Sequence, residues 1–191
     1  MVYKTIISID DLKNNLNNDD FLIFDSRCDI KDSGYGIDSY TEGHIPNSIF
    51  VDVDTDLASE KRPGTGRHPL PDPNTFSEKL SHWGMSNNKQ VVVYDDAGGA
   101  FAGRLWWMLK WLGHEAVAVL DGGLNSWVKG GNKLVTTPTV FEKAHFEPRV
   151  QENMIATVED VEEAQFKMNT ILLDARSKER YQGINDPVDP I

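Results

Sequence analysis

The chain has 191 residues, 39% hydrophobic and 26% charged, with a formal net charge of −11. That length holds one ordinary domain and a remainder, and the acidic balance argues against nucleic acid and anionic membrane as main partners. The single cysteine, Cys28, excludes an internal disulfide framework and a cysteine-rich zinc site.

The N-terminus, MVYKTIISIDDL, lacks the apolar core and small-residue cleavage pattern of a signal peptide, and no stretch has the length of a membrane span, so a cytoplasmic protein is expected. Ser8 followed by Asp10 and Asp11 predicts an N-cap and a helix to about Asn17. Phe21 to Phe24 is a buried strand ending at Asp25-Ser26-Arg27, and 32–39 is polar, glycine-containing loop. A second strand runs over Ile49-Phe50-Val51. From Asp52 to Pro73 the chain is irregular and proline-rich, with Lys61, Arg62 and Arg67 beside His68; a loop of that length is usually functional or packed on something else. Thr75-Phe76-Ser77-Glu78 reads as a capping box, with a helix ending near Gly84.

Val91 to Tyr94 is an apolar, mostly β-branched strand. A glycine-bearing loop, Asp95 to Gly99, leads to a helix with Phe101, Leu105, Met108, Leu109 and Leu112 on one face and Gly113 as its C-cap glycine. Val117 to Leu120 is a further strand, and Asp121-Gly122-Gly123 turns the chain into a short helix that ends at Gly130-Gly131. Strand–loop–helix–strand units of this kind make parallel neighbours. The expected class is therefore α/β, a mostly parallel sheet with helices on both faces. Ligands in such sheets sit beyond the carboxyl ends of strands, which draws attention to the loop at Asp95.

The remainder repeats the beginning. Thr157-Val158-Glu159-Asp160-Val161 matches Ser8-Ile9-Asp10-Asp11-Leu12, and Ile171-Leu172-Leu173-Asp174-Ala175-Arg176 matches Leu22-Ile23-Phe24-Asp25-Ser26-Arg27, both offset by 149 residues. A second copy of one domain is expected: a complete domain over 1–140, a connector over 141–154, and an incomplete second domain over 155–191.

The ordered series Phe24-Asp25-Ser26-Arg27, Gly43-His44-Ile45-Pro46, Gly66-Arg67-His68-Pro69-Leu70-Pro71, Val93-Tyr94-Asp95, Arg104-Leu105-Trp106-Trp107, Gly113-His114 and Val119-Leu120-Asp121-Gly122-Gly123 resembles the rhodanese family, in its tandem sulfurtransferase form. The resemblance implies transfer of sulfane sulfur from thiosulfate or 3-mercaptopyruvate to cyanide or a thiol acceptor, through a cysteine persulfide in the second domain. No cofactor and no metal are expected: Gly98, Gly99 and Gly103 fit neither the dinucleotide fingerprint nor the Walker A pattern, and His44 and His114 have no partner at ligand spacing. In that family the first domain typically carries an aspartate at the nucleophile's position, and Asp95 matches it. The nucleophilic cysteine would lie beyond Ile191, leaving the 191-residue chain inactive alone.

Arg180 resembles the family's substrate-binding arginine, and a guanidinium fork suits an anionic donor. His68, with Arg67 beside it, resembles a first-domain histidine that approaches the substrate. Asp189 stands where mercaptopyruvate enzymes tend to carry a second arginine, which tilts the reading toward thiosulfate. Asp95 is expected to accept loop N–H bonds and to pair with Arg104. Cys28 is expected to be inert. Asp25–Arg27 and Asp174–Arg176 read as structural pairs, His44 and His114 as structural rather than metal-binding, and Trp106, Trp107, Trp111 and Trp127 as packing residues. Two functions compete: a truncated sulfurtransferase, and a non-catalytic binding or regulatory module of the same fold. Residues 155–191 would dock on the first domain, swap into a second copy to form a domain-swapped dimer, or pair with a complementing chain.

Overall fold

A computed structural model describes residues 2–185. It divides into two units, residues 1–151 and 152–191.

The first unit is built on five strands: β1 (Ile6–Ile7), β2 (Phe21–Asp25), β3 (Ser48–Phe50), β4 (Gln90–Tyr94) and β5 (Val117–Leu120). All pair in parallel, in the order β1-β5-β4-β2-β3. The helices between them are α1 (Ile9–Asn15), α2 (Tyr35–Glu42), α3 (Pro73–His82), α4 (Ala102–Trp111) and α5 (Gly123–Lys129). Every residue of β4 is buried, as expected of a central parallel strand covered on both faces. Alternation along the strands divides the core. Ile23, Val92, Tyr94, Ala118 and Leu120 pack with Leu12, Leu124 and Trp127 on one face. Leu22, Phe24, Val91 and Val93 point the other way, where the Phe24 ring meets Trp83 edge-on at 5.7 Å.

Several expectations need correction. Residues 35–42, read mostly as loop, form α2; Gly36 packs so closely on the Arg27 carbonyl and the Phe50 ring that no Cβ would fit. The cap of α3 is Asp72, not Thr75. Its carboxylate accepts the Asn74 and Thr75 N–H groups, and Pro73 fills the first helical position, where its missing N–H costs nothing. Phe101 stands at the N-cap of α4, which buries Ala102, Leu105, Met108, Leu109 and Trp111. Gly113 has the left-handed φ of 78° expected of a helix-terminating glycine. The two-residue β1 was not foreseen.

Residues 141–151, expected as connector, belong to the first unit and pack on its helices. Ala144 N–H bonds the Ser81 carbonyl, Arg149 N–H that of Leu112 and Gln151 N–H that of Trp111, and Phe146 is buried.

In the second unit, Thr157 caps α6 (Val158–Ala164) in a reciprocal capping box with Asp160, and Ser177 caps α7 (Lys178–Tyr181). Residues 171–173, expected from their match to Leu22-Ile23-Phe24 to be a strand, form none, and Ile171, Leu172 and Leu173 are 82%, 52% and 89% exposed. Among the described residues no helix is long and apolar enough to cross a membrane.

Candidate functional site

The carboxyl ends of β2, β3 and β4 carry the chemistry-bearing groups. After β4 the backbone curls around the Asp95 carboxylate, which is buried. Its Oδ1 accepts N–H bonds from Ala97 (3.0 Å) and Gly99 (2.8 Å), and its Oδ2 from Phe101 (2.8 Å) and Ala102 (2.9 Å). Gly98 and Gly99 take left-handed φ values of 72° and 92°, which lets the loop turn its N–H groups inward. The last of those donors opens α4, so its dipole adds to the attraction for negative charge. Behind the loop, Leu124 N–H bonds the Asp95 carbonyl at 2.9 Å, and a Cβ on Gly123 would collide with that oxygen. The Tyr35 hydroxyl donates to the Asp96 carboxylate.

Beneath the loop, Tyr94 Oη donates to Asp25 (2.7 Å) and accepts the Ile45 N–H (3.1 Å). The Arg27 guanidinium is bidentate on Asp25, with its closest contact at 2.7 Å, and also bonds the Gly43 carbonyl at 2.9 Å. Burial works against the Arg27 charge, but Asp25 outweighs it and raises the Arg27 pKa. Burial and the same carboxylate push the Tyr94 phenol well above its ordinary value. This is a structural lock, as expected for Asp25 and Arg27. In the second unit Arg176 grips Asp174 in the same way, again with a closest contact of 2.7 Å, but exposed. Hydrogen bonds from Arg176 hold the Asp174 pKa down at about 2.

Beside these groups lies a cleft of about 580 Å³, lined by Ile30, Asp54, Thr55, Lys61, Arg67 and His68 among others. His68 Nε2 meets Asp54 Oδ1 at 2.7 Å. Two of the residues singled out from sequence, Arg67 and His68, therefore share one cavity. Asp54 was missed: it stands in the acidic run Val51-Asp52-Val53-Asp54-Thr55-Asp56, and nothing local distinguishes it from its neighbours.

The expected Asp95–Arg104 pair is not formed. Asp95 spends its acceptors on backbone N–H groups. Arg104 turns to the 52–69 loop, with Nη2 on the Leu57 carbonyl at 2.6 Å and on the His68 carbonyl at 3.0 Å, and Nε on Leu57 at 3.1 Å.

Cys28 is half-buried, and burial with the charges of Asp54, Asp52 and Asp29 pushes its thiol up to about 11, the reverse of what a nucleophile needs. His44 is buried, stacked on Tyr40 with centroids 3.7 Å apart, and both ring nitrogens lie on backbone carbonyls, of Tyr40 and Thr137. His114 Nε2 lies 3.2 Å from the Ala116 carbonyl. Burial lowers the His114 pKa. Among the described residues no group of three His, Cys, Asp or Glu side chains could hold a metal ion. Trp106 and Trp127 donate their indole N–H groups to backbone carbonyls, and Trp107 stacks on Trp111 with centroids 6.1 Å apart. Arg180 belongs to α7 in the second unit. Asp189 lies outside the described residues.

The Rhodanese-like domain family profile matches residues 8–130. The Probable 3-mercaptopyruvate sulfurtransferase of Pseudomonas aeruginosa is 37% identical over 188 residues, covering 97% of this chain and 66% of the relative. The thiosulfate sulfurtransferase of Rattus norvegicus is 33% identical over 156 residues, covering 80% of this chain and 51% of the relative. The crystal structure of SseA from Escherichia coli, a 3-mercaptopyruvate sulfotransferase with the "Rhodanese" fold, superposes with a TM-score of 0.82 at 27% identity, covering 98% of this chain and 71% of that one. The chain thus spans only half to about two thirds of the length of these two sequence relatives.

Proposed function

This chain belongs to the rhodanese family, and on that premise we propose that it is the non-nucleophilic part of a sulfurtransferase. The reaction moves sulfane sulfur from thiosulfate or 3-mercaptopyruvate to cyanide or a thiol. A thiolate attacks the donor's outer sulfur and that sulfur's bond to the rest of the donor breaks; sulfite leaves, or with 3-mercaptopyruvate the enolate of pyruvate, which takes a proton from solvent to become pyruvate; the persulfide then yields its outer sulfur to the acceptor and the thiolate returns.

One observation carries the reading. Four N–H groups at the end of the central strand converge on a single anionic side chain, and that side chain is a carboxylate, Asp95. The cradle suits a thiolate or persulfide, but a carboxylate has no sulfur to carry. Cys28, with its raised pKa, does not replace it. The sulfur-carrying thiol is therefore supplied by polypeptide outside these 191 residues, and the chain alone is inactive. His68 and Arg67 are assigned to binding the anionic donor, and Arg180 is assigned that role from its match to the family's arginine alone. Residues 155–191 are the surface through which a complementing chain or a swapped second copy would join.

Thiocyanate formation from thiosulfate and cyanide, with pyruvate release from 3-mercaptopyruvate assayed alongside, tests this. The chain alone should give neither product above the uncatalysed rate, and Cys28→Ser should leave that unchanged. Robust turnover that Cys28→Ser abolishes would overturn the assignment. The second reading is a binding or regulatory module of the same fold. It is favoured by the occupied Asp95 cradle, and donor affinity separates the two: thiosulfate should shift the backbone NMR signals around His68 and Arg67 if the first reading holds, and leave them in place if the second does.

A further inference from the structure

We propose that Arg104 is a positioning residue: its guanidinium holds the loop that carries Lys61, Arg67 and His68, and so fixes His68 at the cleft. The inference deepens the sulfurtransferase reading and rests on it for the cleft's purpose, though not for its geometry.

The loop between β3 and α3 has little regular structure of its own. Asp52 caps its first turn through the N–H groups of Asp54 and Thr55, both at 2.8 Å, and Lys79 of α3 reaches Asp56 at 2.9 Å. Past Leu57 the chain runs out to an exposed tip and returns. Gly64 and Gly66 have nothing within 4 Å of where a Cβ would stand, and the tip is tied by a turn between Arg62 and Thr65 and an exposed Arg62–Glu60 pair at 4.0 Å. The arms are joined by one backbone bond, Ser59 N–H to the Pro69 carbonyl at 2.9 Å. Lys61, Arg67 and His68 line the cleft from this excursion.

Arg104 closes the excursion from below. Its Nη2 bridges the carbonyl that starts it, Leu57 (2.6 Å), and the carbonyl of His68 itself (3.0 Å), while Nε adds a second bond to Leu57 (3.1 Å). A planar fork can hold two carbonyls in one fixed relation; an ammonium on a flexible stem cannot. Arg104 is partly buried, and burial lowers its pKa. Among the described residues no carboxylate is paired with it, so its charge is met only by carbonyl dipoles. Keeping a cation in that place stabilises little by itself, which points to what it holds. His68 is thus tethered twice, by its carbonyl on Arg104 at 3.0 Å and by Nε2 on Asp54 at 2.7 Å. Arg104 sits in the first turn of α4, the helix whose leading N–H groups cradle Asp95, so one rigid element sets both the cradle and the cleft wall.

The test uses the full chain with Arg104→Ala and Arg104→Lys. Arg104→Ala should speed amide exchange at Ser59 by about tenfold or more, the loss expected when hydrogen bonds to a charged group are removed from a surface loop. Amides of β4 should be unchanged. The ¹⁵N imidazole signals of His68 should lose the signature of the Asp54 contact. Guanidinium ion at tens of millimolar should restore that signature in Arg104→Ala, where sodium at equal ionic strength should not. If Arg104→Ala does not fold, Arg104→Lys decides: it keeps the charge and the stem but not the fork, and should show the same changes in smaller measure. A folded variant with wild-type His68 signals and wild-type Ser59 exchange would overturn the proposal. Thiosulfate titration keeps the two readings apart. A wild-type chain that ignores thiosulfate, while Arg104→Ala still releases His68, would sink the donor-binding reading and leave the positioning role standing.

Discussion

At the scale of single residues, Asp95 and Cys28 present opposite electrostatics. The Asp95 carboxylate is buried, and four N–H dipoles replace the water it has lost. Asp95→Asn keeps the shape but replaces one accepting oxygen with an amide that cannot accept. Two N–H groups then face a donor, either those of Ala97 and Gly99 or those of Phe101 and Ala102. Each buried donor left without a partner costs about 1–3 kcal/mol, so Asp95→Asn should lower the free energy of unfolding by about 2–4 kcal/mol in urea titrations. A loss below about 1 kcal/mol would show that the cradle does not need the charge. Cys28 has the reverse surroundings, burial and the charges of three carboxylates, all of which oppose a thiolate. With its pKa near 11, its thiolate fraction at pH 8 is about a hundredfold or more below that of an unperturbed cysteine. Alkylation by iodoacetamide should be slowed by a similar factor, and a rate matching free cysteine would contradict the assignment. The pKa is raised in the folded state, so the un-ionised thiol's contribution to stability is fully present below the unfolded value of about 8.5. It is lost as pH rises toward 11, and the denaturation midpoint should fall over that window more in wild type than in Cys28→Ser.

At the scale of elements, glycines show how surroundings rather than backbone angle set the cost of a substitution. Gly123 and Gly131 both have left-handed φ, 56° and 71°. A Cβ on Gly131 would meet nothing within 4 Å, whereas one on Gly123 would drive into the Asp95 carbonyl and break its bond from Leu124. Gly131→Ala should cost about 1 kcal/mol, the backbone term alone. Gly123→Ala should cost about 3 kcal/mol or more and disturb the 95–102 loop. Equal melting temperatures for the two variants would refute the argument. The same distinction separates what could be read from the sequence from what could not. Strands β2, β4 and β5 and helix α4 are legible because burial writes itself as apolar runs and helical spacing, in Val91 to Tyr94 above all. Asp95 is legible because it directly follows such a strand. Helix α2 is not, because Tyr-Gly-Ile-Asp-Ser-Tyr-Thr-Glu buries only Gly36 and Tyr40. It is held by tertiary contacts that leave no periodic trace, such as Gly36 against the Phe50 ring. The cap of α3 is misread because Asp72 and Thr75 are both good caps and only geometry chooses between them. The partners of Arg104 are illegible in principle. It bonds backbone carbonyls, which every residue has, whereas the nearby carboxylate of Asp95 offered an obvious but false partner.

At the scale of the whole molecule, the two related segments form an internal control. Residues 22–27 and 171–176 share a pattern, and both end in the same Asp–Arg grip, because that grip spans only two residues and needs no neighbour. The strand differs. In the first unit β2 lies between β4 and β3, so its backbone groups are bonded on both sides and Leu22, Ile23 and Phe24 are buried. For residues 171–173 no strand partner is present among the described residues, and the three side chains face solvent. An extended segment cannot satisfy its N–H and C=O groups alone except with water. Apolar pattern alone is therefore not sufficient for a strand. Amide hydrogen exchange compares the two segments in one tube. Opening β2 requires loss of the core, so the amides of Leu22 to Phe24 should be slowed at least about 10⁴-fold, as for a domain of ordinary stability. Those of Ile171 to Leu173 should exchange within about tenfold of the unstructured rate, because nothing need open. If the isolated chain protects both segments alike, residues 171–173 are paired in solution. Protection that grows with protein concentration would then identify a second copy as the partner, whereas protection independent of concentration would place the partner strand within the same chain.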